Sequence, residues 1–253
     1  MSRLSIRRNL LAPALGLVLA GLSIDATAQS LRDGLESSLA RALAPPFIRV
    51  ATTGSFAIER PGLATTVTRE GRIVHRHAGV EIAESFVGGR ASPAPGATAL
   101  PRVSRFVGAR EDRWSAGAET YSTVELGEVW SGIRATLETR IDGVERVFVL
   151  APGSRVDDIA IRLAGHDHLE IAESGALSIE TRLGAWSLAK PKAWQDIDGV
   201  RREVAVRYQV SGSTYGFVLG DHDRSQPVFI DPLLRATYLA SQGDMPFRVA
   251  DLK

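Results

Sequence analysis

Alternation with a period of two, renewed from residue 47 almost to the end, is the feature that most narrows what this chain can become. Ile133, Ala135, Leu137, Thr139 and Ile141 fall on one side of an extended backbone, and Arg134, Thr136, Glu138 and Arg140 on the other. A strand turns successive side chains to opposite faces, so the pattern describes a half-solvated antiparallel strand. Asp142-Gly143 follows, and Asp-Gly between alternating runs signals a two-residue hairpin. Glu145 to Leu150 returns until Pro152, which cannot donate to a ladder.

The stretch from Val200 to Leu239 repeats the design. Val204, Val206, Tyr208 and Val210 point inward, and Glu203, Ala205, Arg207 and Gln209 point out. A Gly/Ser turn at 211–213 leads to a second strand, then to a polar corner at Gly220 to Arg224. A last buried strand closes at Asp231-Pro232. Earlier segments read alike: Phe47 to Thr52, Phe56 to Ile58, Leu63 to Thr68, Gly71 to His77, Val80 to Val87, Val103 to Val107 and Thr120 to Leu126. Ile159, Ile161 and Leu163 form a further inward set, followed by Leu169 and Ile171, Leu177 and Ile179, Trp186 and Leu188, and Ala193 and Gln195. Short strands at regular spacing predict an all-β fold, an antiparallel β-sandwich or meander. Gly88 to Pro101, rich in Gly, Pro and Ala, is a long loop that either separates two small sheets or crosses between the sheets of one sandwich.

The beginning of the chain is different. Arg3, Arg7 and Arg8 precede an apolar run, Leu10 to Ile24, and Ala26-Thr27-Ala28 forms an A-x-A cleavage site. The run is shorter than the roughly 20 residues a spanning helix needs, so residues 1–28 read as a signal peptide cleaved before Gln29. The Arg7-Arg8 pair also has a faint twin-arginine character. Leu31, Leu35, Leu39 and Leu43 then recur every fourth residue, predicting a short helical leader over 29–46 that Pro45-Pro46 stops. The expected organisation continues with N-terminal strands at 47–87, the loop at 88–101, a main β-domain at 102–234 and a tail at 235–253.

Losing residues 1–28 removes three arginines and Asp25, so 30 Lys+Arg and 29 Asp+Glu become 27 and 28. That balance gives no basic excess for nucleic acid or anionic membranes. The chain has no cysteine, hence no disulfide and no thiolate metal site.

Four clusters invite a chemical reading. His166-Asp167-His168 and His75-Arg76-His77 each place two imidazoles on one face of a strand, as a Zn²⁺ or Cu²⁺ site would, but spacing supplies no third ligand. Asp221-His222-Asp223 suggests a cation site or half a triad. No G-x-S-x-G serine accompanies it, so turn chemistry, with a pair to Arg224, accounts for it better. Asp196-Ile197-Asp198-Gly199 echoes a calcium loop without the distal glutamate, and reads as a hairpin turn. Trp114, Trp130, Trp186 and Trp194 are available to stack on sugars, although aromatics in β-domains usually pack. Paired carboxylates for glycoside hydrolysis would need a separation in space that sequence does not give. No residue is assigned as catalytic, cofactor-binding or metal-ligating.

From Leu100 onward an ordered string of motifs carries a family resemblance: LPRVSRFVG, TYSTVELGEVWSGIRATL, VFVLAPGSRVDDIAIRLAG, LSIETRLG, WQDIDGVRREVAVRYQV, YGFVLGDHDRSQPVFIDPLL and ATYL. Together these resemble the N-terminal domain of unknown function that precedes SBBP (β-propeller-type) repeats in secreted bacterial proteins. The resemblance implies an extracytoplasmic all-β domain and no catalytic residues. A Glu-Asn-Arg/Gln-Gly-Gln-like opening, usual in the family, is not evident around residues 40–60. After Leu239 the chain reads ASQGDMPFRVADLK, the start of a first repeat in a fragment, or the tail of a head domain without repeats.

The expected function is a secreted, non-enzymatic β-domain, the structural or interaction head of a cell-surface or extracellular repeat protein. The alternatives are a carbohydrate-binding module or adhesin, and a hydrolase using acidic residues. Expected partners are downstream propeller repeats, a surface partner or a glycan. Neither a cofactor nor nucleic acid is expected, and no transmembrane segment in the mature chain.

Overall fold

The computed structural model describes residues 44–60, 63–105, 115–141 and 143–235. The expected signal peptide and the expected helical leader before Ala44, together with Pro61, Gly62, residues 106–114 including Trp114, Asp142 and the tail beyond Arg235, lie outside the described residues.

In chain order the strands are β1 (Phe47–Val50), β2 (Ser55–Arg60), β3 (Leu63–Val67), β4 (Ile73–His77), β5 (Val80–Phe86), β6 (Ala94–Pro95) and β7 (Ala99–Arg105). Next come β8 (Ser115–Tyr121), β9 (Thr123–Trp130), β10 (Ile133–Thr139), β11 (Val144–Leu150), β12 (Ile161–Ala164), β13 (His168–Ile171) and β14 (Leu177–Thr181). The last are β15 (Gly184–Leu188), β16 (Lys192–Ile197), β17 (Val200–Val204), β18 (Val206–Ser211), β19 (Thr214–Leu219), β20 (Val228–Asp231) and β21 (Leu233–Arg235). All pairings are antiparallel, and the fold is the all-β arrangement expected from the alternation.

Two sheets result. The first runs β18-β19-β12-β5-β4-β3-β2-β1-β8-β7. The second runs β13-β14-β15-β21-β11-β10-β9-β6, with β20 pairing both β11 and β16, and β17 pairing β16. Strands from 47–87 therefore share a sheet with β12, β18 and β19. The Gly/Pro/Ala-rich loop carries the chain from the second sheet at β6 to the first at β7. Apolar inward faces meet between the layers: Trp130 of β9 meets Phe86 of β5 with ring centres 5.4 Å apart, and Phe148 of β11 meets Phe217 of β19 at 5.7 Å. One continuous core takes side chains from both sheets.

Three departures from the sequence reading have physical causes. The run Val200 to Val210 is two strands, not one. It passes from the second sheet to the first at Ala205, where Gly220 N–H donates to the Ala205 carbonyl at 2.7 Å. The segment Thr120 to Leu126 is broken at Ser122 between β8 and β9, which also belong to different sheets. Ile141 and Ile171, both expected inward, are 55% and 43% exposed. One sits in the turn after β10, and the other ends β13, the edge strand of the second sheet.

The second sheet forks. β20 and β21 lie end to end along β11, opposite Phe148 to Leu150 and Val144 to Glu145 respectively. Pro232 stands between them and interrupts the ladder, because it has no N–H. On their far side β20 holds the β16–β17 hairpin and β21 holds β15.

Candidate functional site

The densest polar constellation lies between the sheets. Period two puts Glu84 on the inward side of β5, with Ile82 and Phe86, and Arg146 on the inward side of β11, with Val144 and Phe148. The two strands belong to opposite sheets, so the charges face each other across the core. An Arg146 Nη2 hydrogen bond reaches Glu84 Oε2 at 2.8 Å. Tyr215 of β19 donates its hydroxyl to Glu84 Oε2 at 3.0 Å and accepts from Arg146 Nη1 at 3.0 Å. His75 Nε2 is 2.9 Å from Glu84 Oε1, and His75 Nδ1 is 2.9 Å from the Thr65 hydroxyl. Arg146 also lies 5.9 Å from the ring centres of Phe86 and Phe148.

Burial alone would raise the Glu84 carboxyl. The Arg146 charge, helped by His75, outweighs it and holds the group at about 2. Burial alone would likewise lower the Arg146 guanidinium, but Glu84 and Tyr215 keep it firmly charged. Burial pushes the Tyr215 phenol far above its usual range, with the Glu84 charge adding to the effect. Because Glu84 is ionised it only accepts, so His75 Nε2 carries a hydrogen.

Thr65, His75 and Glu84 thus follow the order hydroxyl, imidazole, carboxylate of a nucleophilic triad. Their accessibility decides against that use here: Thr65, His75 and Glu84 are exposed by 1%, 2% and 2%, and Arg146 and Tyr215 by 5% and 1%. No substrate carbonyl can approach the hydroxyl without parting the sheets. What the arrangement does chemically is hold two layers together with charge-assisted bonds.

The outer face of the second sheet carries a contrasting group. Glu145, next to Arg146, points away from the core yet is buried, because Arg140 covers it and donates Nε–H to Glu145 Oε2 at 2.5 Å. Arg140 also pairs with Glu138 at 3.2 Å. Asp231, at the fork, points to the same face. Burial, then the hydrogen bond and charge of Glu145, push its carboxyl up to about 8.

The residues singled out in the sequence are scattered. His75 is in the core cluster, and Arg76 points outward to Glu81 at 2.9 Å. His77 packs edge-on against Trp186 at 6.0 Å. His168 is exposed, 3.6 Å from Glu170, and among the described residues no three His, Asp or Glu side chains converge as metal ligands. Asp198 and Gly199 have φ of 52° and 76°, the left-handed pair that a tight hairpin turn needs. Asp223 is hydrogen-bonded to the Ser225 N–H and hydroxyl at 2.9 and 2.7 Å rather than paired with Arg224. Buried Gln195 fixes this corner, donating to the Asp223 carbonyl at 2.7 Å and accepting from the Asp223 N–H at 2.9 Å.

Three of the four tryptophans are described, and all pack. Trp130 and Trp186 are buried, and Trp130 Nε1–H donates to the Val87 carbonyl at 3.0 Å. Trp194 is on the outer face of β16, between β17 and β20. Phe229 stacks on one side at 5.5 Å and the Arg201 guanidinium lies on the other at 4.5 Å. Both indole faces are taken, so no sugar ring can stack there without displacing one neighbour. Near the β4–β5 turn, a cleft of about 460 Å³ lined by His77, Glu59 and Arg60 adjoins one of about 550 Å³ lined by His166, Asp167 and Arg182. Gly79, Val80 and Glu81 form a wall common to both.

Sequence reasoning passed over Glu84, Arg146, Tyr215, Glu145 and Asp231. For Glu84 and Arg146 the signal was present: each is a charge at an inward position of an otherwise apolar alternation.

The fold and its interior define an antiparallel β-sandwich domain clamped by a buried ion pair. The chain belongs to the family described as a domain of unknown function (DUF7948), whose model matches residues 53–233. No curated protein matches the chain, and no solved structure does. Among the described residues no helix is long and apolar enough to cross a membrane.

Proposed function

We propose that this chain is an exported, non-enzymatic β-domain that acts as the structural or interaction head of a bacterial extracellular or cell-surface repeat protein. The observation that carries the reading is the closure of the Thr65–His75–Glu84–Arg146–Tyr215 cluster. The side chains best able to do chemistry are spent on joining the sheets. The A-x-A site before Gln29 supports export, and the resemblance from Leu100 onward supports a place ahead of SBBP repeats. A screen of the mature protein against polysaccharides, esters and peptides should find no turnover. Hydrolysis abolished by changing one acidic cluster would overturn the reading. Mass spectrometry of the protein recovered from a periplasmic or culture fraction should find Gln29 at the amino terminus.

A glycan-binding role is the second reading. The paired clefts at the β4–β5 turn favour it, since His166, Asp167 and Arg182 offer hydroxyl partners beside exposed Leu183. Binding on a glycan array that is lost on substituting Asp167 would support it, and an array without hits would remove it.

A further inference from the structure

Asp231 precedes the proline that splits the last lane of the second sheet. Register fixes its neighbours. Phe148 stands opposite Ile230 and Glu145 opposite Leu233, so Asp231 lies diagonal to Glu145 on the same outer face. From β16, Lys192 stands directly opposite Asp231. Glu138 and Arg140 approach from the end of β10, with Arg140 pairing both Glu138 and Glu145. Arg60, from the first sheet, donates to the Arg140 and Gly143 carbonyls. Tyr208 of β18 is near enough for the Asp231 charge to act on its phenol. Three carboxylates thus crowd one arginine that already serves two of them. Asp231 Oδ1 is buried without a hydrogen-bond partner, as an ionised carboxylate would not be left.

We propose that Asp231 and Glu145 share one proton, and that this proton latches the β20–β21 lane to β11, so that the fork loosens in alkaline surroundings. The proton forms an O–H···O bond between carboxyls that would otherwise repel. Pro232 cannot contribute an N–H, so the lane is held at this point only by the Arg146 N–H to Pro232 carbonyl bond at 3.4 Å and by the side chains beside it. β21 is the strand from which the chain continues past Arg235 towards Lys253.

The linkage has a definite sign. Burial and Glu145 push the Asp231 carboxyl up to about 8 in the folded chain, and unfolding returns it to its ordinary value of 3.8. Across that window the folded state binds a proton that the unfolded state has released, so stability falls as pH rises and levels off above about 8.

Carboxyl-carbon NMR of the mature chain, with assigned aspartates, tests this directly. The Asp231 carbon should titrate several pH units above the exposed aspartates, and titration among them overturns the proposal. The Arg146 amide, corrected for intrinsic exchange, should lose protection once Asp231 ionises, while amides facing β20 keep theirs. Equal loss in both halves would leave no latch. Asp231→Asn can donate to Glu145 at every pH, so its melting temperature should decline less than the wild type's from pH 5 to 9. Parallel profiles would also sink the idea. Should that variant not fold, the wild-type titration decides alone.

Discussion

Glu145 and Arg146 are neighbours in β11, and period two sends them to opposite faces of one sheet. Both are buried. Inside, Arg146 directly meets one carboxylate, Glu84, with the Tyr215 phenol bonded to both, and Glu84 is driven down to about 2. Outside, Glu145 meets Asp231 in the presence of Arg140, which is already occupied, and Asp231 is driven up to about 8. Desolvation pushes both acids upward. The ratio of carboxylates to cations within reach decides the final direction. Burial of charge therefore produces a clamp on one side of the strand and a titrating joint on the other.

The comparison breaks most severely if the clamp is halved. Arg146→Met leaves Glu84 ionised, buried and without its cation. Removing one partner of such a pair costs about 3–5 kcal/mol. Urea unfolding should show a loss of that order, and the chain should unfold at ambient temperature if its margin is small. Adding Glu84→Gln to Arg146→Met should restore much of the loss, because the uncompensated charge is gone. A double variant no more stable than the single one would show that the pair is not the source of the cost.

The pH dependence sharpens the contrast. Glu84 is lowered on folding from 4.5 to about 2, so the stability it confers is complete above 4.5 and is lost as pH falls through that window. Asp231 acts with the opposite sign, its contribution falling away between about pH 4 and 8. Chemical denaturation should show a steep limb as pH falls from about 4 to 2, flattened in Glu84→Gln, with Asp231→Asn leaving that limb unchanged and altering the profile only between about pH 4 and 8.

A subtler break is Tyr215→Phe. The hydroxyl both accepts from Arg146 and donates to Glu84, while the direct Glu84–Arg146 contact survives its removal. Hydrogen bonds to charged groups contribute about 1.5–3 kcal/mol each, so a loss of at least about 1.5 kcal/mol should appear in urea unfolding. A variant as stable as the wild type would mean that the phenol is a spectator.

Much of this was legible beforehand, and what was not has a physical reason. Alternation located most strands and the Asp198-Gly199 turn, because both depend on neighbours a few residues apart. It also displayed Glu84 and Arg146 as charges at apolar parity. It did not show that they meet, since β5 and β11 come together only when the two sheets close. The passage from β17 to β18 was hidden because parity runs unbroken through Ala205 while the strand changes sheets. Glu145 has the parity of an outward residue. Its burial comes from Arg140, which folds over it from the preceding turn. The fork was half visible: Pro232 announced an end to pairing, but not the two arms that diverge there.

The outer face offers one more test, with the smallest expected effect. Arg201 lies on Trp194 and pairs with Asp196 at 3.2 Å, with most of its side chain in water. An exposed ion pair and an exposed cation–π contact each contribute within about 1 kcal/mol. Arg201→Ala should therefore cost no more than about 2 kcal/mol in urea unfolding, below Arg146→Met. The two arginines belong to the same sheet and both contact aromatic rings, so solvent access rather than contact type would explain the gap. The substitution also bares one face of Trp194. If a sugar then bound to the variant and not to the wild type, Arg201 would be the group that keeps this face closed. No binding to either is the result expected of a cross-strand ladder whose purpose is packing.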